Sequence, residues 1–262
     1  MSRNATKDLT MGSPMKLILG FGIPLLFGML FQQFYNMMDT IIVGKFLGVS
    51  ALASVGATGS INFMIIGFCM GVCNGFAIPV AQRFGAKDEH GMRKFVANSV
   101  WLSIIFAVVM AVLVCVFCRQ ILELMNTPED IIDGSYSYIF VIFLGIPATY
   151  MYNLLSGIMR SLGDSKTPLY LLIFSSILNI ILDLLSIIVL KMGVAGAAWA
   201  TVIAQAVSGF CCLGVIWKKF PILHVQREEW QPDKLCILNL CNMGIPMGLQ
   251  YSITAIGLSR RQ

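Results

Sequence analysis

Charged side chains are scarce in this sequence. Lys, Arg, Asp and Glu together make up 12% of its 262 residues, whereas hydrophobic residues make up 57%. An ordinary soluble domain carries about 25% charged residues, and half that share cannot cover a water-soluble particle of this size. The composition therefore excludes a disordered chain, a coiled coil and a nucleic-acid-binding module. It predicts a chain that is surrounded by the lipid bilayer and has no nucleic-acid partner.

Histidine is nearly absent. The two His residues, His90 and His224, lie in polar linkers, and the eight Cys residues lie in apolar stretches with no His at metal-ligand spacing. Cys115 and Cys118 form a CxxC pair, but no strand–helix–strand pattern surrounds them. We interpret the Cys residues as inert packing residues. We expect no enzyme active site and no organic cofactor.

Long apolar runs dominate the chain instead. A membrane-spanning helix needs about 20 mostly apolar residues, and six such runs occur, at about 16–43, 52–80, 95–117, 135–158, 168–190 and 194–217. A seventh run begins near Leu235. The runs do not alternate strictly between apolar and polar residues, as barrel strands would. The sequence thus predicts an all-α polytopic membrane protein with a six-helix transmembrane bundle.

The basic residues predict the orientation of this bundle. One side of the membrane holds the N-terminal tail and the loops that follow the second, fourth and sixth runs. Thirteen of the 18 Lys and Arg residues lie on this side, and three lie on the other side. Basic residues collect on the cytoplasmic side of a membrane. We therefore expect a cell-membrane protein whose N-terminus is cytoplasmic.

A short repeat links the two ends of the chain. Gly22-Ile23-Pro24 recurs as Gly244-Ile245-Pro246, and six apolar runs separate the two copies. An even number of helices gives parallel repeats, as in many transporters. The repeat predicts a cytoplasmic tail (1–15), a six-helix N-terminal lobe (16–217), a cytoplasmic inter-lobe linker (218–234) and a truncated first helix of a C-terminal lobe (235–262). We therefore expect the chain to be a fragment of a larger protein.

Two carboxylates lie where lipid surrounds the chain. Of the 13 acidic residues, only Asp39 and Asp183 fall inside apolar runs, Asp39 late in the first run and nearer its outer end. A charged side chain there costs about 3 kcal/mol or more, and no Lys or Arg lies mid-helix to pair with it. Each of these Asp residues is expected to face a cavity, bind a cation or carry a proton.

Polar neighbours follow these carboxylates at helical spacing. The sets that share a helix face are Gln32, Tyr35, Asn36 and Asp39; Ser175, Asn179, Asp183 and Ser186; and Thr201 and Gln205. Their oxygens could surround a small hard cation or a proton. The alternative is that the uncharged residues only join helices by hydrogen bonds, and the spacing leaves both interpretations open. For Pro24, Pro79, Pro147 and Pro246, inside the apolar runs, ordinary kinks and functional hinges also both stay open.

The chain resembles the multidrug and toxic compound extrusion (MATE) transporters, in their DinF-like branch, from about residue 13 to residue 257. The segments that carry the resemblance are Gln32–Thr40 with Val43-Gly44, Arg160–Pro168, Asn179-xxx-Asp183 and Gly193–Thr201. The resemblance implies twelve helices in two lobes around a cavity that opens alternately inward and outward. It implies that Asp39, Asn179, Asp183 and Thr201 match the cation or proton site of the family, in which the first three could be ligands of Na⁺. It also implies that Gln32 and Tyr35 match the cavity wall, to which the spacing adds Asn36 and Gln205, and that Pro24 matches the bending proline of the first helix.

The expected function is therefore efflux of amphipathic drugs and organic cations by an antiporter that H⁺ or Na⁺ drives and that is monomeric at full length. One alternative is a flippase for lipid-linked oligosaccharides, which would need a cationic cavity. The other is an inactive truncated fragment. The residue types do not choose between H⁺ and Na⁺, because both ions can use the same oxygens.

Overall fold

The structure is a computed structural model that describes residues 13–259, with side chains as far as residue 254. Within this range the chain forms nine α-helices and no strand. The helices are α1 (Pro14–Leu47), α2 (Val49–Gly85), α3 (Glu89–Val116), α4 (Cys118–Leu124), α5 (Ile132–Leu144), α6 (Ile146–Ser161), α7 (Lys166–Leu184), α8 (Gly193–Lys219) and α9 (Lys234–Ser259). A π-helical turn, Leu185–Val189, continues α7. The predicted tail, residues 1–15, lies almost entirely outside the described residues.

The predicted all-α membrane bundle is confirmed. Helices α1, α2, α3, α7 with its π-helical turn, and α8 are each long and apolar enough to cross a membrane. Helices α5 and α6 together form one more span, the fourth in chain order, which is bent by 47°. Each of the six predicted apolar runs coincides with one of these spans, and the runs 95–117 and 168–190 extend one residue beyond the end of their spans. The short helix α4, between the third and fourth spans, was not predicted.

The bend in the fourth span, between α5 and α6, has a local cause. The run 135–158 was predicted as one helix, but α5 ends at Leu144 and α6 begins at Ile146. Pro147 stands in the first turn of α6, where it has no N–H to continue the hydrogen bonds of α5. A side chain on Gly145, between the two helices, would collide with Val202 of α8. Gly145 thus permits the close approach of α8, and Pro147 ends the preceding helix.

Helix α2 is the centre of the bundle. It packs against α3, α5, α6 and α9, and 61% of the residues in its most apolar stretch of 18 are buried. Helix α1 lies at the periphery and packs mainly against α7, and only 6% of the residues in its most apolar stretch of 18 are buried. Most apolar side chains of α1 are therefore exposed, as expected of a helix that faces lipid or another part of a larger assembly.

Helix α9 lies against α2 along a seam of glycines. A Cβ atom on Gly71 would lie 2.6 Å from the carbonyl oxygen of Met247, and a Cβ on Gly75 would lie 2.7 Å from that of Met243. Gly244 and Gly248 of α9 face the same seam. Small residues let two helix backbones approach closely, which is the main source of attraction between helices in lipid. The assignment of α9 to a second lobe stays a prediction.

The segment between α8 and α9 is docked on the start of α3 through Glu229. This side chain is only 1% exposed, and its carboxylate accepts hydrogen bonds from Arg93 Nε at 2.9 Å and from the Gln226 N–H at 2.8 Å. His90 Nδ1 lies 2.9 Å from the same carboxylate. Burial raises the pKa of Glu229, but these hydrogen bonds outweigh burial and hold the pKa below its ordinary value. The start of α9 is thereby fixed relative to the first six spans.

Candidate cation site

Three helices bring five of the predicted site residues together. Helix α1 supplies Tyr35 and Asp39, which are one turn apart, and α7 supplies Asn179 and Asp183 at the same spacing. Helix α8 supplies Thr201, whose Oγ1 accepts a hydrogen bond from the Tyr35 hydroxyl at 3.2 Å. The site exists because α7 packs against both α1 and α8.

Asn179 connects Thr201 to Asp183. Both the nitrogen and the oxygen of the Asn179 side-chain amide have hydrogen-bond partners when the nitrogen faces Asp183. In this orientation Nδ2 donates to Asp183 Oδ2 at 3.0 Å, and Oδ1 accepts from Thr201 Oγ1 at 3.3 Å. Tyr35, Thr201, Asn179 and Asp183 are therefore linked by contacts of hydrogen-bonding distance, although the single hydrogen of the Thr201 hydroxyl is shared between Asn179 and the carbonyl oxygen of Ala197, which lies at 3.2 Å.

The two carboxyl groups lie side by side. Asp39 and Asp183 are within hydrogen-bonding reach of each other, and Asp183 is completely buried. The Oδ1 atoms of both residues are buried without a hydrogen-bond partner among the described residues. Within the same part of the chain, no basic side chain forms an ion pair with either residue.

This arrangement favours a positively charged ligand. A buried carboxylate without a partner is costly, and two adjacent ones repel each other. A shared proton or a small hard cation removes both penalties, and oxygen atoms are the ligands that hard cations prefer. The unsatisfied Oδ1 atoms of Asp39 and Asp183 therefore fit a cation between α1 and α7.

Two features of the site were not predicted from the sequence. Tyr138 of α5 is buried near Tyr35, Asp39 and Asp183. The π-helical turn begins two residues after Asp183, where Ser186 Oγ donates to the carbonyl oxygen of Gly196 in α8 at 3.1 Å. Single π-turns are frequent at functional sites. The spacing of polar residues along the sequence indicates neither this turn nor the position of Tyr138.

The other predicted residues lie outside this group of five. Gln205 hydrogen-bonds to Thr149 of α6. Gln32 is half-buried and Asn36 is exposed, and neither side chain makes a hydrogen bond in the part of the chain that the structure describes. Pro24 is buried within α1, 15 residues before Asp39, which corresponds to about 22 Å along the helix.

These features define a polytopic helical membrane protein with a buried pair of carboxylates. The model of the MatE family matches residues 24–185, which is more than half of the chain. The chain therefore belongs to the MatE family.

Two curated relatives come from Bacillus subtilis (strain 168). The probable multidrug resistance protein YoeA is 32% identical over 246 residues, which cover 90% of this chain and 52% of YoeA. The probable multidrug resistance protein YpnP is 29% identical and matches 96% of this chain and 56% of its own length. A solved structure of a MOP superfamily transporter from Pyrococcus furiosus is 26% identical, with a TM-score of 0.88, and the match covers 98% of this chain and 57% of that one. The chain thus spans about half the length of the curated relatives it matches.

Proposed function

We propose that the protein acts in the cell membrane as part of a cation-coupled antiporter, with its N-terminus in the cytoplasm. It exports amphipathic organic compounds by alternating access, and H⁺ or Na⁺ drives the export. The observation that carries the proposal is the pair of buried Oδ1 atoms on Asp39 and Asp183, which have no hydrogen-bond partner in the described part of the chain. The relatives that are called multidrug resistance proteins support the substrate class.

The coupling step follows from the position of the two carboxylates on different helices. Without a cation, Asp39 on α1 and Asp183 on α7 repel each other, which favours separation of the two helices. A bound cation neutralises the pair and favours the packed arrangement, in which Tyr35 hydrogen-bonds to Thr201. A cation that binds one arrangement better than the other shifts the population between them.

Helix α1 is suited to transmit this change. Pro24 removes one backbone hydrogen bond from its interior, and most of its surface makes few contacts with the rest of the bundle. Movement of α1 against α7 would change the central cavity that the resemblance to MATE transporters implies. Drug and cation then favour different arrangements, which is the condition for exchanging one for the other.

The proposal is tested by drug efflux from a bacterium that lacks its own multidrug pumps. Cells that express the protein are expected to accumulate less ethidium than cells with an empty vector. The Asp183→Asn variant is expected to lower the efflux rate about tenfold or more, within the range of typical coupling free energies. The readout is ethidium fluorescence over time, with protein levels matched by immunoblot.

Glu123→Gln is the matched control, because this exposed carboxylate pairs with Arg119 at 3.5 Å, outside the group of five site residues. Its efflux rate is expected to equal that of the wild-type protein. Undiminished efflux by Asp183→Asn would overturn the proposed cation site. No efflux by the wild-type protein would overturn drug export by this chain.

A further inference from the structure

Arg160 is a cation inside the bundle that has no anionic partner among the described residues. It lies one residue before the end of α6 and is half-buried, close to Tyr152 and to Tyr251 of α9. Its Nη2 donates to Oδ1 of Asn74, in the interior of α2, at 3.4 Å. Among the described residues, no carboxylate lies within ion-pairing distance of its guanidinium.

The acid that is nearest in sequence is committed elsewhere. Asp164 Oδ1 accepts hydrogen bonds from the backbone N–H groups of Lys166 and Thr167, both at 3.0 Å. Asp164 Oδ2 accepts from the Thr167 hydroxyl at 2.5 Å. Asp164 therefore stabilises the first turn of α7, as an N-terminal capping acid does, and does not neutralise Arg160.

The neutral groups around Arg160 leave hydrogen-bond donors available. Asn74 accepts from Arg160 through Oδ1, and its Nδ2 donates to the Tyr251 hydroxyl oxygen at 3.5 Å. The hydrogen of the Tyr251 hydroxyl thus stays available to a further acceptor. The guanidinium has five N–H donors, of which Asn74 takes one. A guanidinium fork beside a hydroxyl donor matches a carboxylate, which accepts two parallel N–H bonds and a third bond.

We propose that Arg160, together with Asn74 and Tyr251, binds the carboxylate group of amphipathic substrates. The inference rests on the proposed function, because it adds acids and zwitterions to the compounds that the protein carries. The site is separate from the cation site in its helices: Asn74, Arg160 and Tyr251 lie on α2, α6 and α9, whereas the cation site lies on α1, α7 and α8. The Arg160 site forms where the last turn of α6 faces Asn74 of α2 and Tyr251 of α9.

The test is equilibrium binding of a matched pair of fluorescent ligands to the purified chain in phosphatidylcholine nanodiscs. The ligands are 1-pyrenebutyrate and its methyl ester, which differ only in the carboxylate. The wild-type chain is expected to bind the acid more tightly than the ester. Arg160→Gln is expected to weaken binding of the acid about tenfold, the effect of losing a charge-assisted hydrogen-bonded pair, and to leave binding of the ester unchanged.

Two further variants make the test specific. Tyr251→Phe removes only the hydroxyl donor and is expected to weaken binding of the acid roughly threefold, which keeps the proposal testable if Arg160→Gln misfolds. Lys166→Gln removes an exposed cation from the same end of the bundle and is expected to change neither ligand. Equal affinities for the acid in the wild-type chain and Arg160→Gln would overturn the proposal, as would an equal loss in Lys166→Gln.

A lipid phosphate is the other oxyanion that could reach Arg160. If Arg160→Gln leaves the affinity for the acid unchanged but reduces co-purification of phosphatidylglycerol, Arg160 binds lipid and the proposal is wrong. Na⁺ binding by the same samples separates the two proposals. If the acid is not bound but Na⁺ is, only the Arg160 proposal fails. If Na⁺ is not bound but the acid is, only the Na⁺ site at Asp39 and Asp183 fails.

Discussion

Saturating Na⁺ is expected to raise the unfolding temperature of the wild-type chain by about 5–10 °C and to leave that of the Asp39→Asn/Asp183→Asn double variant unchanged. The reason is linkage: a ligand at about a hundred times its dissociation constant adds about 2.7 kcal/mol to the native state when it does not bind the unfolded chain. The cation would occupy the space beside the two partnerless Oδ1 atoms. The measurement is thermal unfolding in detergent, followed by tryptophan fluorescence.

The two Asn side chains also separate the site from general charge effects. Without Na⁺, the double variant is expected to unfold at a higher temperature than the wild-type chain, because it no longer buries two adjacent carboxylates. Choline chloride at the same ionic strength controls for screening. A double variant that responds to Na⁺ as strongly as the wild-type chain would contradict the assignment, and a wild-type chain that does not respond to Na⁺ would leave H⁺ as the coupling ion.

The second large effect concerns the glycine seam between α2 and α9. Gly71→Val/Gly75→Val is expected to raise the amide exchange rate of residues 243–248 by about tenfold or more, because overpacking a tight contact costs about 1–3 kcal/mol per site. Each new Cβ would lie within 3 Å of backbone atoms of α9, which cannot rotate away as a side chain can. Hydrogen–deuterium exchange with mass spectrometry measures this change.

The same helix provides the matched control. Gly56 and Gly59 of α2 have no atom within 4 Å of an added Cβ, so Gly56→Val/Gly59→Val changes helix propensity to the same extent without a collision. Exchange in α9 is expected to be unaffected in this control. If both double variants raise exchange equally, the seam does not hold α9 in place.

The spans were predictable because the bilayer imposes a length and a composition on every crossing helix. Helical spacing also indicated that Asn179 and Asp183 share a face of α7. It did not indicate which helices are neighbours, since that depends on packing between residues far apart in the chain. The contact of Tyr35 with Thr201, 166 residues later, and the proximity of Tyr138 therefore required the structure.

Arg160 illustrates the limit of reasoning from charge position. By its place in the sequence, next to a loop, Arg160 is one of the thirteen basic residues on the side predicted to be cytoplasmic. The structure instead places its guanidinium against Asn74, in the interior of α2. A long side chain can carry its charge several ångströms from its own Cα, so its place in the sequence does not reveal what it contacts.

The proposed coupling requires the Asp39–Asp183 pair to bind and release the cation. Infrared difference spectroscopy of the chain in a bilayer tests it most directly, because it records the carboxyl groups themselves during a step in Na⁺ concentration and a step in pH. At least one of these steps is expected to change the carboxyl bands of the wild-type chain, and this change is expected to be missing from Asp39→Asn/Asp183→Asn. Identical difference spectra from the two proteins would rule out the proposed role of the pair.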